Sequence, residues 1–280
     1  MPQHLLAVWP QIQQSLQEAG RVVLLLDYDG TLAPIVDRPD LASMPLETRE
    51  TLVELRALTS PDPDLIIGII SARSLEDISA RVGIDGLLYA GNHGLEIRGP
   101  QLEFVHAEAL KIKGSVDQVY LQLKEKLAVH PGAFAEHKGL SLTVHYRLVD
   151  DEGIEAVKDT VDKTVRPAVE IGDLVVSPGK MALEIRPNIS WDKGSTISAI
   201  VAAIGTEPAD SNPPARERLV MYFGDDLPDE AGFGVAQDTG GMGIFVGTSE
   251  QPTRAHYRLD SPQQVGETLQ LMRQVFRQRN

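Results

Sequence analysis

The 280-residue chain is long enough for one large domain or two medium ones, and its 42% hydrophobic content suits a packed core. Its net charge of −14 argues against nucleic acid or an anionic membrane as a partner, and without cysteine it forms no disulfide. We expect a cytoplasmic protein, because residues 1–20 show no secretory signal and no apolar run approaches the roughly 18 residues of a membrane span.

Short apolar runs alternate with amphipathic stretches along most of the chain. Buried strands are predicted at Val22–Leu26, Leu65–Ile70, Leu87–Ala90, Leu219–Phe223 and Gly243–Val246. Helices are predicted near residues 47–58, 74–82, 192–204, 228–237 and 261–277. This alternation is typical of an α/β fold, in which a Rossmann-like, doubly wound and largely parallel sheet is covered by helices on both faces.

The middle of the chain has a different pattern. It predicts helices at residues 107–128 and 152–167, and β-hairpins at 133–147 and 172–186 that turn at Lys138-Gly139 and near Pro178-Gly179. Two half-buried hairpins and two helices indicate a small α+β domain. The predicted organisation is therefore a core of residues 1–106 and 187–280 with an inserted α+β cap domain at 107–186.

Two carboxylates follow the first predicted strand of the core. Asp27 and Asp29 would share one face if the strand continued, and Gly30 then lets the backbone turn. In open α/β sheets, ligands bind outside the carboxyl ends of the strands. Two like charges this close need a cation, a shared proton or solvent. A solvated acidic turn is the alternative for this pair taken alone.

Polar residues follow other predicted strands or open the helices after them. Ser71 could bind a phosphate oxygen or cap a helix, and Lys193 stands at a helix start, where a cation is disfavoured unless an anion is near. The acidic run with Asp225, Asp226 and Asp229 suits a hard cation or, alternatively, helix capping. Together these residues suit phosphoryl transfer through a carboxylate nucleophile.

As a set, these segments resemble the four motifs of the haloacid dehalogenase superfamily, here Asp27-Tyr28-Asp29-Gly30-Thr31-Leu32, Ser71-Ala72-Arg73, Lys193 and Gly224-Asp225-Asp226. Within it, the chain resembles the trehalose-6-phosphate phosphatases at Gly91-Asn92-His93-Gly94-Leu95-Glu96, Glu136-His137-Lys138-Gly139, His145-Tyr146-Arg147 and the run from Pro178 to Pro187. The resemblance covers roughly residues 20 to 250. It implies a Mg²⁺-dependent hydrolase for a small sugar phosphate.

The resemblance also implies roles for the acidic residues. Asp27 matches the nucleophile and a metal ligand, and Asp29 matches the general acid/base, with its backbone carbonyl on the metal. Asp225 matches the third metal ligand, with Asp226 and Asp229 as nearby support. The cofactor that the resemblance implies is Mg²⁺.

Further roles implied by the resemblance concern phosphate and sugar. The phosphate binders would be Ser71, Ala72, Arg73 and Lys193. The sugar-binding positions would be Glu136, Lys138, Arg147, Lys180 and Glu184, with His93 as a further candidate. An exposed charged sheet face is the alternative for the inserted residues, and a structural turn is the alternative for His93. A monomer is expected.

The chain departs from the family pattern at Ala72, where glycine is common, and at Pro228, where threonine is common. Proline is acceptable at a helix start, and the metal site would weaken if that threonine supports it. Three alternatives stay open. They are a phosphatase for another glycosyl phosphate (sucrose phosphate or mannosyl-3-phosphoglycerate), a phosphorelay receiver, and a sugar-binding protein whose catalytic site has decayed.

Overall fold

The computed structural model describes residues 2–36, 41–58, 64–100, 102–179, 181–204, 218–248 and 251–279. The chain forms two compact units. The first unit comprises Met1–Glu103 and Trp191–Asn280, and the second unit comprises Phe104–Ser190. None of the helices in these ranges is both long enough and apolar enough to span a membrane.

The strands are β1 (Gln3–His4), β2 (Arg21–Asp27), β3 (Leu65–Ile70), β4 (Leu88–Gly91), β5 (Glu96–Gly99), β6 (Leu102–Val105), β7 (Phe134–His137), β8 (Leu142–His145), β9 (Leu174–Gly179), β10 (Ala182–Pro187), β11 (Arg218–Gly224), β12 (Met242–Val246) and β13 (Tyr257–Leu259). The helices are α1 (Trp9–Glu18), α2 (Leu46–Ala57), α3 (Leu75–Val82), α4 (Ala107–Lys126), α5 (Asp151–Glu170), α6 (Lys193–Ile204), α7 (Glu230–Asp238) and α8 (Pro262–Arg279).

The first unit is built on a sheet in the order β1-β13-β12-β11-β2-β3-β4-β5-β6, and the boundary between the units falls within β6. In this sheet order, all neighbouring strands from β1 through β13, β12, β11, β2 and β3 to β4 are parallel, and β5 is antiparallel to β4. The central strand β2 is buried on both faces, and every residue from Val22 to Leu26 is fully inaccessible to solvent. This sheet confirms the predicted α/β class.

The five predicted core strands are all present, each within one or two residues of its predicted bounds. The strands at the edge of the sheet were not predicted. β1 has two residues and β13 has three, which is too short for a hydrophobic alternation to be recognised. Helix α1 was also missed, although Ile12 and Leu16 bury one face at a spacing of four residues.

The second unit packs α4 and α5 against one face of an antiparallel sheet in the order β7-β8-β10-β9. Leu142, Val144 and Ile185 point to that face, where they join Val157 and Val161 of α5 in one apolar cluster. Because side chains alternate along a strand, the residues between them point to the opposite face of the sheet. We call it the open face because α4 and α5 pack on the other one, although Thr143 on it is only 4% exposed.

The second hairpin turns directly after the Pro178-Gly179 pair near which its turn was predicted. Pro178 and Gly179 belong to β9 and pair with Leu183 and Ala182 of β10, so the chain reverses after Gly179 and not at it. The left-handed residue next to this reversal is Met181, whose φ is 58°. A Pro-Gly pair usually predicts a turn of its own, and here pairing with β10 extends the strand through it.

Candidate active site

Asp27 is the last residue of β2 and lies at the carboxyl edge of the parallel sheet. The residue is 6% exposed, and its Oδ1 accepts a hydrogen bond of 2.9 Å from Nζ of Lys193. Lys193 is the first residue of α6 and is itself only 5% exposed. The lysine that sequence analysis placed at an unfavourable helix start therefore has a buried carboxylate beside it, which compensates for the unfavourable helix dipole.

A second carboxylate, Asp229, shares this lysine. Its Oδ1 accepts from Nζ of Lys193 at 2.5 Å and from the hydroxyl of Tyr222. Its Oδ2 accepts from the backbone N–H groups of Asp225 and Asp226, at 3.1 and 3.0 Å. Asp229 is completely buried and therefore ties together the end of β11, the loop after it and the start of α6.

One carboxylate oxygen from each of Asp27, Asp225 and Asp229 lies within 4.8 Å of the others. Like charges this close need a cation or a shared proton beside the single charge of Lys193. Hard cations such as Mg²⁺ bind through one or two carboxylates and retain several waters, and Asp27 and Asp225 could supply these ligands. Gly30 is required here, because a Cβ on it would lie 2.1 Å from Oδ2 of Asp225.

The pKa values describe the same imbalance of charge. Burial raises the pKa of Asp27 well above its ordinary value, the charges of Asp229 and Asp225 raise it further, and Lys193 opposes the shift. Burial alone would lower the pKa of Lys193, but Asp229 and Asp27 raise it above its ordinary value, so the lysine stays charged. The cluster is thus short of positive charge in the absence of a bound cation.

The side chain of Asp29 has a different partner. Nε and Nη2 of Arg73 donate to its two carboxylate oxygens, each at 2.7 Å. Nη1 of Arg73 also donates to Asp77 at 2.9 Å, and Arg81 pairs with Asp77 in turn. Sequence analysis assigned Arg73 to phosphate, whereas in the structure its guanidinium binds the predicted acid/base and Asp77. The predicted metal ligand is the backbone carbonyl of Asp29. The ion pair with Arg73 involves only the side chain of Asp29, so it does not conflict with that prediction.

Ser71 follows β3 directly, beside the pair formed by Asp27 and Ile70. Its side chain is 1% exposed, and its Oγ accepts a hydrogen bond of 3.1 Å from the backbone N–H of Arg73. Ala72, which lies between the two, is half-buried. The structure therefore holds the predicted phosphate-binding hydroxyl at the same sheet edge as Asp27.

His93 lies in a short 3₁₀ turn after β4, with a left-handed φ of 56°. Its carbonyl accepts from the hydroxyl of Thr196 at 3.0 Å, and the indole N–H of Trp191 donates to the same hydroxyl at 3.0 Å. These bonds connect the turn to the start of α6. The backbone of His93 thus takes part in the packing of this turn, and a contact of its side chain with substrate stays a prediction.

Asp226 precedes a short 3₁₀ turn at residues 227–229, which contains Pro228. The carboxylate of Asp226 accepts from the backbone N–H of Leu227 at 2.8 Å and caps this turn, as the capping alternative predicted. Pro228 stands at its start, where a missing N–H costs nothing. Of the two residues predicted to support the metal, Asp229 joins the acidic cluster and Asp226 acts as a cap.

Charged side chains also line the open face of the sheet in the second unit. Glu136 of β7 and Glu184 of β10 both pair with Thr143 of β8, so all three share this face. Oε2 of Glu136 lies 2.7 Å from Nε2 of His145. The ring of Phe134 stacks on that histidine with a centroid distance of 4.7 Å.

The other predicted sugar-binding positions lie close to these strands. The backbone N–H of Lys138 donates to the carbonyl of Ser141 and closes the first hairpin, and Arg147 follows β8 by two residues. Lys180 lies outside the described residues. Sequence analysis missed His145 and Phe134 as neighbours of Glu136, because a cross-strand pair depends on the register of the hairpin.

Tyr222 was missed for another reason. It lies inside the apolar run of β11, where an aromatic residue predicts only a core position. Its hydroxyl donates to Asp229, and burial followed by the charges of Asp229 and Asp27 raises its pKa well above the ordinary value. The tyrosine therefore remains a protonated donor. No feature of the sequence distinguishes it from its apolar neighbours.

Comparisons with known proteins agree with this geometry. A family model described as trehalose-phosphatase matches residues 25–263. Trehalose-phosphate phosphatase B of Arabidopsis thaliana is 33% identical over 260 residues, and the match covers 89% of this chain and 66% of that protein. Probable trehalose-phosphate phosphatase C of the same plant is 35% identical, with coverages of 90% and 77%. The chain thus spans about two thirds to three quarters of the length of these relatives.

A solved structure is similar over nearly the whole chain. It is the C-terminal domain of C. albicans trehalose-6-phosphate phosphatase, with a TM-score of 0.75, 26% identity and coverage of 98% of this chain and 99% of that one. The predicted haloacid dehalogenase fold is confirmed by this likeness. Because the family match spans more than half of the chain, the protein belongs to the trehalose-phosphatase family of phosphoric monoester hydrolases.

Proposed function

We propose that this chain is a Mg²⁺-dependent phosphatase that hydrolyses trehalose 6-phosphate to trehalose and phosphate through an aspartyl-phosphate at Asp27. The observation that carries the proposal is the buried position of Asp27 at the carboxyl edge of the sheet, 2.9 Å from Lys193 and within a cluster of three carboxylates. The names of the relatives supply the sugar, and their family supplies the reaction class.

In the first step, a carboxylate oxygen of Asp27 attacks phosphorus, and the bond from phosphorus to the sugar oxygen breaks. Lys193 and Ser71 would hold the non-bridging oxygens of the phosphoryl group. Asp29 gives a proton to the departing sugar oxygen and afterwards takes one from the attacking water. That water attacks phosphorus, phosphate leaves, and the carboxylate of Asp27 is restored.

Mg²⁺ would be held by Asp27 and Asp225, and by the backbone carbonyl of Asp29, where its charge offsets that of the carboxylates and the phosphate. The structure adds one contact to this scheme. Both oxygens of Asp29 accept hydrogen bonds from Arg73, so turning one of them toward the sugar oxygen would weaken that pair. Arg73 is therefore proposed to hold the acid/base between turnovers.

Residues 107–186 are proposed to act as the cap that binds the sugar. Glu136 and Glu184 offer carboxylates on the open sheet face, and carboxylates are suitable acceptors for sugar hydroxyls. Lys138, Arg147 and Lys180 would complete the set. A cytoplasmic location and a monomeric state stay predictions from the sequence.

The test is phosphate release from a panel containing trehalose 6-phosphate, sucrose 6-phosphate, mannosyl-3-phosphoglycerate and p-nitrophenyl phosphate. We expect kcat/KM for trehalose 6-phosphate to exceed that for the other sugar phosphates by about a hundredfold or more, because unpaired polar groups in the sugar site penalise the wrong ring. Excess chelator should abolish the activity, and Mg²⁺ should restore it. A preference for another glycosyl phosphate would show that this compound, and not trehalose 6-phosphate, is the substrate. Full activity in excess chelator would contradict the proposed dependence on Mg²⁺.

A further inference from the structure

Tyr222 is a buried titratable residue to which the proposed reaction assigns no role. Its side chain is fully buried in β11, and its ring packs against Phe233 of α7 with a centroid distance of 5.6 Å. Its hydroxyl donates a hydrogen bond to Oδ1 of Asp229. A polar group placed this deep in a core strand costs free energy unless it has a partner, and Asp229 is that partner.

The hydrogen bonds to Asp229 use all the acceptor sites of its carboxylate. An ionised carboxylate offers about four lone-pair sites on its two oxygens. Four donors use them in this structure, namely Nζ of Lys193 and the hydroxyl of Tyr222 on Oδ1, and the N–H groups of Asp225 and Asp226 on Oδ2. A cation binds through such a lone pair, so Asp229 has none left to offer.

Asp229 is nonetheless close enough to join a bound ion. One of its oxygens lies within 4.8 Å of an oxygen of Asp27 and of Asp225, so these three could surround one cation. Proximity therefore does not keep Asp229 away from the ion; its hydrogen bonds do. Two of the four donors hold the loop after β11, and Lys193 also pairs with Asp27. The hydroxyl of Tyr222, in contrast, neither holds the loop nor pairs with Asp27, and its hydrogen bond acts on Asp229 alone.

We propose that Tyr222, by completing the hydrogen bonds of Asp229, sets which divalent cation the acidic cluster accepts. This inference rests on the proposed cation site. Mg²⁺ binds with one or two protein carboxylates and keeps several waters, whereas Ca²⁺ takes six to eight oxygens and gains from each added carboxylate. With Asp229 occupied, the cluster supplies the carboxylates of Asp27 and Asp225, which suits Mg²⁺. Without the tyrosine hydroxyl, Asp229 becomes a third ligand, which favours Ca²⁺.

The chain offers a matched control for this residue. Tyr89 lies in β4 of the same sheet, is 8% exposed, and its hydroxyl bonds to the backbone of Ile84. Tyr222→Phe and Tyr89→Phe therefore each remove one buried hydroxyl from one strand and leave the ring in place. The two variants should show similar small drops in Tm, which separates a loss of stability from an effect on the cation.

The experiment is isothermal titration of the whole chain with Mg²⁺ and with Ca²⁺, in the wild type and in both variants. We expect the ratio of Ca²⁺ to Mg²⁺ affinity to rise about tenfold or more in Tyr222→Phe, and to change by less than about twofold in Tyr89→Phe. An unchanged ratio in Tyr222→Phe, or an equal rise in Tyr89→Phe, would overturn the inference.

Asp229→Asn gives a second reading that does not depend on the tyrosine variant. Removing a nearby charge weakens Mg²⁺ and Ca²⁺ alike, so the affinity ratio should stay within about threefold of wild type if Asp229 is not a ligand. A fall of the ratio well beyond that would mean that Asp229 already ligates the ion, and the inference would fail. A wild type that binds neither ion would instead overturn the proposed metal site and this inference with it.

Discussion

The two units hold their charged side chains in opposite ways. In the first unit Asp27, Lys193 and Asp229 are almost completely buried and bonded to one another at 2.9 and 2.5 Å. In the second unit the charges lie on an open sheet face, and the side chain of Glu136 is 43% exposed even though it pairs with His145. Buried charges have lost their hydration and depend on their partners, whereas half-exposed charges keep water as a substitute.

In the proposed reaction, this difference separates two tasks. Groups that act on phosphorus must be fixed before the substrate arrives, which a buried and fully bonded cluster provides. Groups that choose the sugar need only add contacts when the sugar is present, which an accessible face provides. We therefore expect substitutions in the first unit to damage every substrate and the fold, and substitutions in the second unit to damage one substrate.

The largest effect is expected at Asp27. Asp27→Asn removes the proposed nucleophile, so kcat should fall by about 10⁴-fold or more on trehalose 6-phosphate and on p-nitrophenyl phosphate alike. Asp238→Asn, at an exposed position at the end of α7, is the control and should leave kcat unchanged. Near-wild-type turnover in Asp27→Asn would remove the nucleophile from the account.

Lys193→Met should damage both activity and the fold. It leaves Asp27 and Asp229 buried without their shared cation, and losing one partner of a buried ion pair costs about 3–5 kcal/mol of unfolding free energy. Urea unfolding measures this loss, with Lys111→Met on α4 as the control, because the side chain of Lys111 is 70% exposed. If both variants unfold at the same urea concentration, the buried cluster does not differ from a surface pair.

A smaller and substrate-specific effect is expected at Glu184. Glu184→Ala should lower kcat/KM for trehalose 6-phosphate, because a charged hydrogen bond to the sugar is lost. The loss of transition-state stabilisation should be about 2–3 kcal/mol. Activity on p-nitrophenyl phosphate, which has no sugar to bind, should change much less. Glu125→Ala, on the exposed surface of α4, serves as the control. Equal losses on both substrates would assign Glu184 to folding or to the core site.

The smallest effect concerns stability and pH. Burial, with Asp229 and Asp225, raises the pKa of Asp27 in the cation-free protein, so the folded state holds a proton that the unfolded chain releases. The stability from that proton is lost as pH rises through the raised pKa. In chelator, Tm should therefore fall as pH is raised above the ordinary carboxylate range, and added Mg²⁺ should raise Tm most at the highest pH. An Mg²⁺ effect independent of pH would contradict this coupling.

The sequence predicted the parts of the molecule that depend on local pattern. The core strands and the acidic residues at their ends follow from apolar runs and from the geometry of parallel sheets. The pair of Asp29 with Arg73 was not predictable, because it joins residues from two loops whose side-chain directions no periodicity defines. Tyr222 was not predictable because one hydroxyl within an apolar strand leaves the pattern unchanged.

The central claim is that Asp27 carries the phosphoryl group during turnover. Asp29→Asn should still form this intermediate from p-nitrophenyl phosphate, whose leaving group departs without a proton, but should slow its hydrolysis, because the base that activates water is gone. The direct measurement is rapid acid quenching of Asp29→Asn with p-nitrophenyl phosphate, followed by peptide mass spectrometry. The account predicts a phosphorylated peptide with the group on Asp27. A phosphoryl group on another residue, or none while the wild type releases phosphate from the same substrate, would contradict it.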